Sequence, residues 1–298
     1  MPARARTWSR SLNATALTLI FVAAIAHASW NLFSKQASVS GAASFVWLMS
    51  AAATVAYLPV VAASVIASPP HLSALAWVFM AGTGLLQVGY FLFLQASYRL
   101  GDLSLIYPIG RGTGALLAAL AGIILLGERP GPAGIAGILL IVGGLVILGI
   151  PASGRTAVTA RAIMLALITG LFIATYTLWD KYAVSTLNVP PLVQGYVSLP
   201  VMALIIAPFA LRDRGRTARV WVTYRRQVLG AAVLSPLAYI LVLIALSFTA
   251  VSAIAPAREV SVLLGVLLGR RLLGEGSLAR RLTAAATIAA GIICIAVG

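Results

Sequence analysis

Acidic residues are scarce in this 298-residue chain: Asp102, Glu128, Asp180, Asp213, Glu259 and Glu275 are all of them. So thin a supply of carboxylates argues against two-carboxylate catalysis and against a hard-metal cage, both of which need clustered oxygens. Cysteine is scarcer still. Cys294, inside the last apolar run, is alone, which excludes a disulfide within the chain and leaves no thiolate set for a metal. It reads as a small packed residue. The sequence also lacks a G-x-x-x-x-G-K-[ST] phosphate loop, an H-E-x-x-H pair and a G-x-S-x-G elbow. ATP-driven pumping by this chain and the common hydrolase chemistries therefore have no motif to rest on, and no metal or cofactor is expected.

Charge as a whole is low. Charged residues make up 9% of the chain against 61% hydrophobic residues, with a mean hydropathy of +1.03. Soluble domains carry about a quarter charged residues, so the expected solvent is lipid. The net charge of +15 does not point to nucleic acid, because the arginines sit in short connectors between apolar runs rather than on one basic face. Basic connectors of this kind lie against anionic headgroups and set orientation.

A membrane span takes roughly 20 apolar residues. Ten such runs are present, near 14 to 34, 42 to 67, 73 to 98, 103 to 126, 133 to 150, 162 to 183, 191 to 211, 228 to 248, 251 to 273 and 282 to 298. The longest connector runs from Arg212 to Arg226. Arg4, Arg6 and Arg10 before an apolar run reaching Ala24 and Ala28 also fit a cleaved signal peptide. Apolar character continuing through Trp30 to Phe33, and a counterpart in the second half, favour a retained helix.

That counterpart belongs to an internal repeat. Arg111 and Glu128 lie 17 residues apart, as do Arg258 and Glu275, each displaced by 147. The same displacement maps Leu125-Leu126-Gly127-Glu128 onto Leu272-Leu273-Gly274-Glu275, and Ala118, Gly122 and Gly144 onto Gly265, Gly269 and Gly291. Ser104 and Pro108 match Ser252 and Pro256 with one residue of slippage, and Trp30-Asn31 matches Trp179-Asp180 at 149. Internal duplication is the reading. Five helices per half is an odd number, so the second copy enters the membrane in the opposite sense, as in inverted-repeat secondary transporters with a site between the halves. The expected fold is all-α, ten transmembrane helices as two inverted five-helix repeats. Its parts are a basic tail (1–13), a first repeat (14–150), a linker (151–161) and a second repeat (162–298).

At these residues the chain resembles the EamA-type branch of the drug/metabolite transporter superfamily, over nearly its whole length. The resemblance rests on His27-Ala28-Ser29-Trp30-Asn31 with Lys35, on Gly101-Asp102-Leu103-Ser104 through Tyr107-Pro108 to Arg111, and on Leu126-Gly127-Glu128. Pro256-Ala257-Arg258-Glu259-Val260-Ser261 and Leu273-Gly274-Glu275 repeat the theme. The resemblance implies ten helices, a central cavity, cytoplasmic termini, and export or exchange of amino acids, nucleobases, sugars or drugs. The His-Ala-x-Trp-Asn variant is also similar to members associated with phosphonate utilisation.

The residues themselves nominate a site. A charge at the bilayer centre costs at least about 2.5 to 3.5 kcal/mol, so Arg111 and Arg258 are functional candidates. Each follows a proline, Pro108 or Pro256, among glycine or alanine, and a broken or kinked helix there lines a polar cavity. One reading has the guanidiniums binding a substrate carboxylate or phosphonate. The other has them holding the fold through exposed carbonyls or Glu259. His27 and Asn31 lie one turn apart with Trp30 beside them, and Tyr176, Trp179 and Asp180 offer the counterpart in the sixth helix. Facing aromatics stack on a flat or cationic ligand, or else form an interfacial belt. His27 either couples transport to a proton or satisfies a packing bond. Tyr90 with Gln87 and Gln95, Tyr107, and Tyr239 with Ser235 and Pro236 complete the polar set along the pathway, although bonds between helices explain such groups equally well. Lys35 and Lys181 are expected to snorkel, Glu128 to pair locally with Arg129 and Glu275 with Arg270 or Arg271. Stripes of small residues, Gly137 with Gly144 and Ala284 with Gly291, mark the fifth and tenth helices as scaffold.

Orientation is in conflict. Alternating connectors place five cations on the side of the N-terminus and fourteen on the other, which the positive-inside rule reads as termini outside. The resemblance implies the reverse. Ten spans put both ends on one side. The expected function is alternating-access export or exchange of a small molecule across an inner membrane. Its partners are that substrate, the lipid bilayer and a coupling proton, the state is monomer or homodimer, and no enzyme activity is expected. A membrane-embedded enzyme acting on a lipid-linked substrate, or a non-transporting structural protein, is the alternative.

Overall fold

The computed structural model describes residues 13–37, 41–100, 103–149, 159–261, 264 and 278–297, and its regular elements are helices. The basic tail up to residue 12, Asp102, most of the linker and the stretch containing Gly265, Gly269, Arg270, Arg271 and Glu275 lie outside the described residues. The first half holds α1 (Ala14–Ala37), α2 (Ala42–Ala67), α3 (Ala74–Leu100), α4 (Leu103–Leu125) and α5 (Pro132–Gly149). The second holds α6 (Ala160–Ser185), α7 (Pro191–Leu211), α8 (Arg214–Phe248), α9 (Val251–Ala257) and α10 (Leu278–Val297).

Six of these, α1, α2, α3, α6, α7 and α8, are long and apolar enough to cross a membrane, and α4, α5 and α10 carry shorter apolar stretches. The chain is a multi-pass membrane protein. Its outer faces are apolar, with Ile66 80% exposed and Val55 and Leu204 each 73%. Such surface is tolerable in lipid, where helices satisfy their own backbone bonds and need no polar rim.

The helices interlock across the halves. α1 packs on α8 and α3 on α6, α2 packs on α7, and α5 packs on α10. Exchanging the halves leaves this pattern unchanged. The small-residue stripes face one another: a Cβ on Gly137 would meet the Gly291 carbonyl at 2.5 Å, and one on Gly144 the Ala284 carbonyl at 3.0 Å. This contact needs bare backbone on both sides.

Three local features depart from the sequence expectation. α8 begins at Arg214, inside the supposed connector, because Asp213 caps it by accepting the Arg216 N–H at 2.8 Å, and non-helical torsions at Tyr224 then kink it just before Arg225, Arg226 and the apolar span. The lysines do not snorkel. Lys35 Nζ donates to the Tyr98 carbonyl at 2.7 Å, and Lys181 Nζ to the Leu246 and Thr249 carbonyls at 2.8 and 2.9 Å. They satisfy acceptors at the C-terminal ends of α3 and α8, where carbonyls lack intrahelical donors.

Glu128 is the third. Gly127, at φ 67°, ends α4 in the left-handed region and turns the chain back, with Glu128 N–H on the Gly122 carbonyl at 3.1 Å. The Glu128 carboxylate then accepts the N–H groups of Val251 at 2.7 Å and Ser252 at 2.8 Å, capping α9 of the other half instead of pairing with Arg129. Gly122 leaves the room, since a Cβ there would lie 2.6 Å from Glu128 Oε2.

Candidate functional site

α4 and α6 meet through glycine. A Cβ on Gly170 would lie 2.8 Å from the Gly110 carbonyl, and one on Gly114 3.1 Å from the Gly170 carbonyl. This approach seats the turn bearing Arg111 against α6 in an unbroken helix. Across from it the helical run is interrupted: α9 stops after seven residues and the chain turns at Arg258 and Glu259, just past Pro256. Glu259 N–H bonds the Pro256 carbonyl at 2.9 Å, and the turn sends its carboxylate to Arg111.

There the guanidinium of Arg111 grips Glu259 with two parallel bonds, Nε to Oε2 at 3.1 Å and Nη2 to Oε1 at 2.7 Å. The pair is buried, with side chains 2% and 0% exposed. Arg258 shares the same carboxylate less closely, Nε lying 3.5 Å from Oε1, while its Nη2 donates to Thr177 Oγ1 at 3.3 Å. Arg258 Nε has no hydrogen-bond partner among the described residues. Two guanidiniums against one carboxylate leave one positive charge in a buried place.

Both arginines line a cavity with about 730 Å³ of empty space including its mouth. Its walls come from α1, α2, α3 and α4 of one half and α6, α7 and α8 of the other, with Arg258 beyond α9. An aromatic chain runs through it: Trp30 to Phe91 at 5.5 Å between ring centroids, Phe91 to Tyr90 at 4.8 Å, Tyr90 to Tyr176 at 5.7 Å and Tyr176 to Tyr239 at 6.3 Å. His27 adds a donor. Its Nδ1 accepts the Trp30 Nε1–H at 3.2 Å, so the neutral ring carries its proton on Nε2, which is buried without a partner among the described residues. Protonating Nδ1 would break the bond to Trp30. The Tyr90 hydroxyl is likewise without a partner among the described residues.

The residues nominated by sequence divide into three groups. Arg111, Arg258, His27, Trp30, Tyr90, Tyr176 and Tyr239 line the cavity, with Gln87, Ser235 and Pro236. Asn31, Tyr107 and Asp180 sit behind it. Asn31 donates to the His27 carbonyl at 2.8 Å and to Tyr107 at 3.4 Å, and accepts from Tyr98 at 2.9 Å. Asp180 is 0% exposed and accepts from Thr83 at 2.6 Å, Gln194 at 3.1 Å and Tyr239 at 2.5 Å. Trp179 is turned away, stacked 4.1 Å from Phe79 with its indole N–H on the Phe79 carbonyl at 2.8 Å. Gln95 also lies elsewhere, donating to Ser34 at 2.8 Å.

Thr177, Thr83 and Gln194 were not singled out by sequence. Thr177 stands one turn before Asp180, a spacing that puts both on one side of α6. Gln194 is one of two buried polar side chains in α7, the other being Ser198, and that rarity was the available signal. Phe91, Met49, Leu199 and Met202 are among the apolar wall residues, and nothing in an apolar helix marks which apolar residues face a cavity.

Comparison with known proteins gives a consistent result. The model of a family described as the EamA-like transporter family matches residues 14–150 and 160–297. No curated protein matches the chain. A crystal structure described only as that of a protein superposes with a TM-score of 0.70 at 17% identity, covering 95% of this chain and 96% of the other, and shows that the fold is shared.

Proposed function

Since this chain belongs to the EamA-like transporter family, matched in both halves, we propose that it is an alternating-access carrier that exports or exchanges a small metabolite bearing one anionic group. The supporting observation is the cavity between helices of both halves, where two guanidiniums face one carboxylate. A residual positive charge buried among apolar walls is costly when empty and is matched by one carboxylate or phosphonate. Arg258 is the binding guanidinium, because Arg111 is already committed in a two-bond fork. The aromatic chain and His27 Nε2–H would hold and orient the body of such a ligand.

In this reading the two five-helix units, joined by the linker, are inverted repeats that rock about the cavity in an inner membrane, with α5 and α10 as the fixed scaffold. The driving force is a proton or solute gradient. Flux in proteoliposomes tests the reading. Wild type should move a small carboxylate or phosphonate from a panel, Arg258→Ala should lose that flux with its fold intact, and unchanged flux in both Arg258→Ala and Arg111→Ala would remove the site.

A further inference from the structure

Asp180 is a buried carboxylate to which the anion site gives no role. Its Oδ1 accepts from Thr83 Oγ1 and Gln194 Nε2, and its Oδ2 from Tyr239 OH. Among the described residues it forms no ion pair. The groups facing it from α3 and α7, Thr83 and Gln194, carry no charge, and Tyr239 faces it from α8. On neighbouring elements, Arg111 of α4 is held by Glu259, and Arg258 beyond α9 bonds Thr177 and adjoins Glu259. On its own helix, Lys181 reaches the carbonyls of Leu246 and Thr249, while Tyr176 lines the cavity. Tyr239 lines the cavity as well, so one phenol separates the carboxylate from the space the substrate would occupy.

We propose that Asp180 is the binding site of a co-transported proton and that Tyr239 relays its protonation state to the cavity. With Asp180 ionised, Tyr239 must aim its O–H at Oδ2 and offers the cavity only lone pairs. On uptake, Tyr239 passes that proton to Oδ2 and takes one from a hydronium ion entering the cavity, which is left as water. The phenol is unchanged and the carboxylate has gained one proton. The new carboxyl O–H now donates to the Tyr239 oxygen, and the phenolic O–H points into the cavity. A wall that offered an acceptor thereby offers a donor, and one negative charge behind it has gone. Both changes favour an anion beside Arg258, so proton and monoanion move together in one direction, outward when the anion's own gradient drives export.

This rests on the carrier reading above, and the test separates the two. Infrared difference spectra of the full-length protein in lipid vesicles, acid minus neutral, should show a carboxyl C=O band that Asp180→Asn abolishes and Tyr239→Phe shifts. Uptake of labelled benzenesulfonate, a flat monoanion that stays ionised and does not cross lipid unaided, should rise on acidification in wild type and lose that rise in Tyr239→Phe. Benzenesulfonate exchange by wild type at fixed pH reads the carrier alone, whereas the infrared band reads Asp180 whether or not benzenesulfonate moves. Absence of an Asp180-dependent band, or a Tyr239→Phe protein with wild-type spectra, would overturn the proposal.

Discussion

Arg111 and Arg258 occupy matching places in the two halves, 147 residues apart, and meet different surroundings. Arg111 lies in an unbroken helix, its guanidinium forked onto Glu259. Arg258 lies where α9 stops, touching the same carboxylate at 3.5 Å and Thr177 at 3.3 Å. The position matching Glu259 in the first half is Gly112. Likewise Asn31 of α1 sits among Tyr98 and Tyr107, whereas its counterpart Asp180 places an ionisable group among Thr83, Gln194 and Tyr239. Trp30 faces the cavity and Trp179 turns to Phe79. The two halves, both matched by the family model, share a scaffold and differ at a few single residues around the cavity.

Breaking that asymmetry at Glu259 should have the largest effect. Glu259→Gln leaves two buried guanidiniums without their shared counter-charge and should cost about 3–5 kcal/mol, read as a fall in thermal unfolding temperature of the purified protein. Next is the division of labour between the arginines. Arg258→Ala should weaken anion binding by about 1.5–3 kcal/mol, the worth of a hydrogen bond to a charged group, in a ligand titration, while Arg111→Ala should act chiefly on stability. A smaller loss is expected where the halves touch: Gly170→Ala sets a Cβ 2.8 Å from the Gly110 carbonyl, and overpacking of this kind costs about 1–3 kcal/mol. Glu128→Ala should cost least, about 0.5–2 kcal/mol, as the loss of a helix cap. If Glu128→Ala proved as damaging as Glu259→Gln, the ranking of the two inter-half contacts would fall.

Much of this arrangement is legible in sequence because lipid imposes a length on every span and duplication prints each motif twice. Arg111 and Arg258 stand out since an intramembrane cation is expensive wherever it falls. The role of Leu126-Gly127-Glu128 is legible only as a recurring motif: that Gly127 reverses the chain and Gly122 makes room for a carboxylate aimed at the other half depends on three-dimensional proximity. The lysines mislead because long stems at helix ends suggest water, and nothing local reveals the carbonyls of a neighbouring helix within reach. Trp179 misleads because homology to Trp30 fixes its helix but not the rotation of its ring.

The shared Glu259 carries a consequence of simple parity. Two identical chains meeting about a symmetry axis contribute equally to whatever they enclose, so the charge at their junction is even. Joining two copies in one gene lifts that restriction, and here Arg111, Arg258 and Glu259, contributed unequally by the copies, sum to an odd value whenever the nearby Asp180 is neutral. A singly charged guest is matched without remainder only by such a host, which a pair of unfused identical halves has no means of becoming.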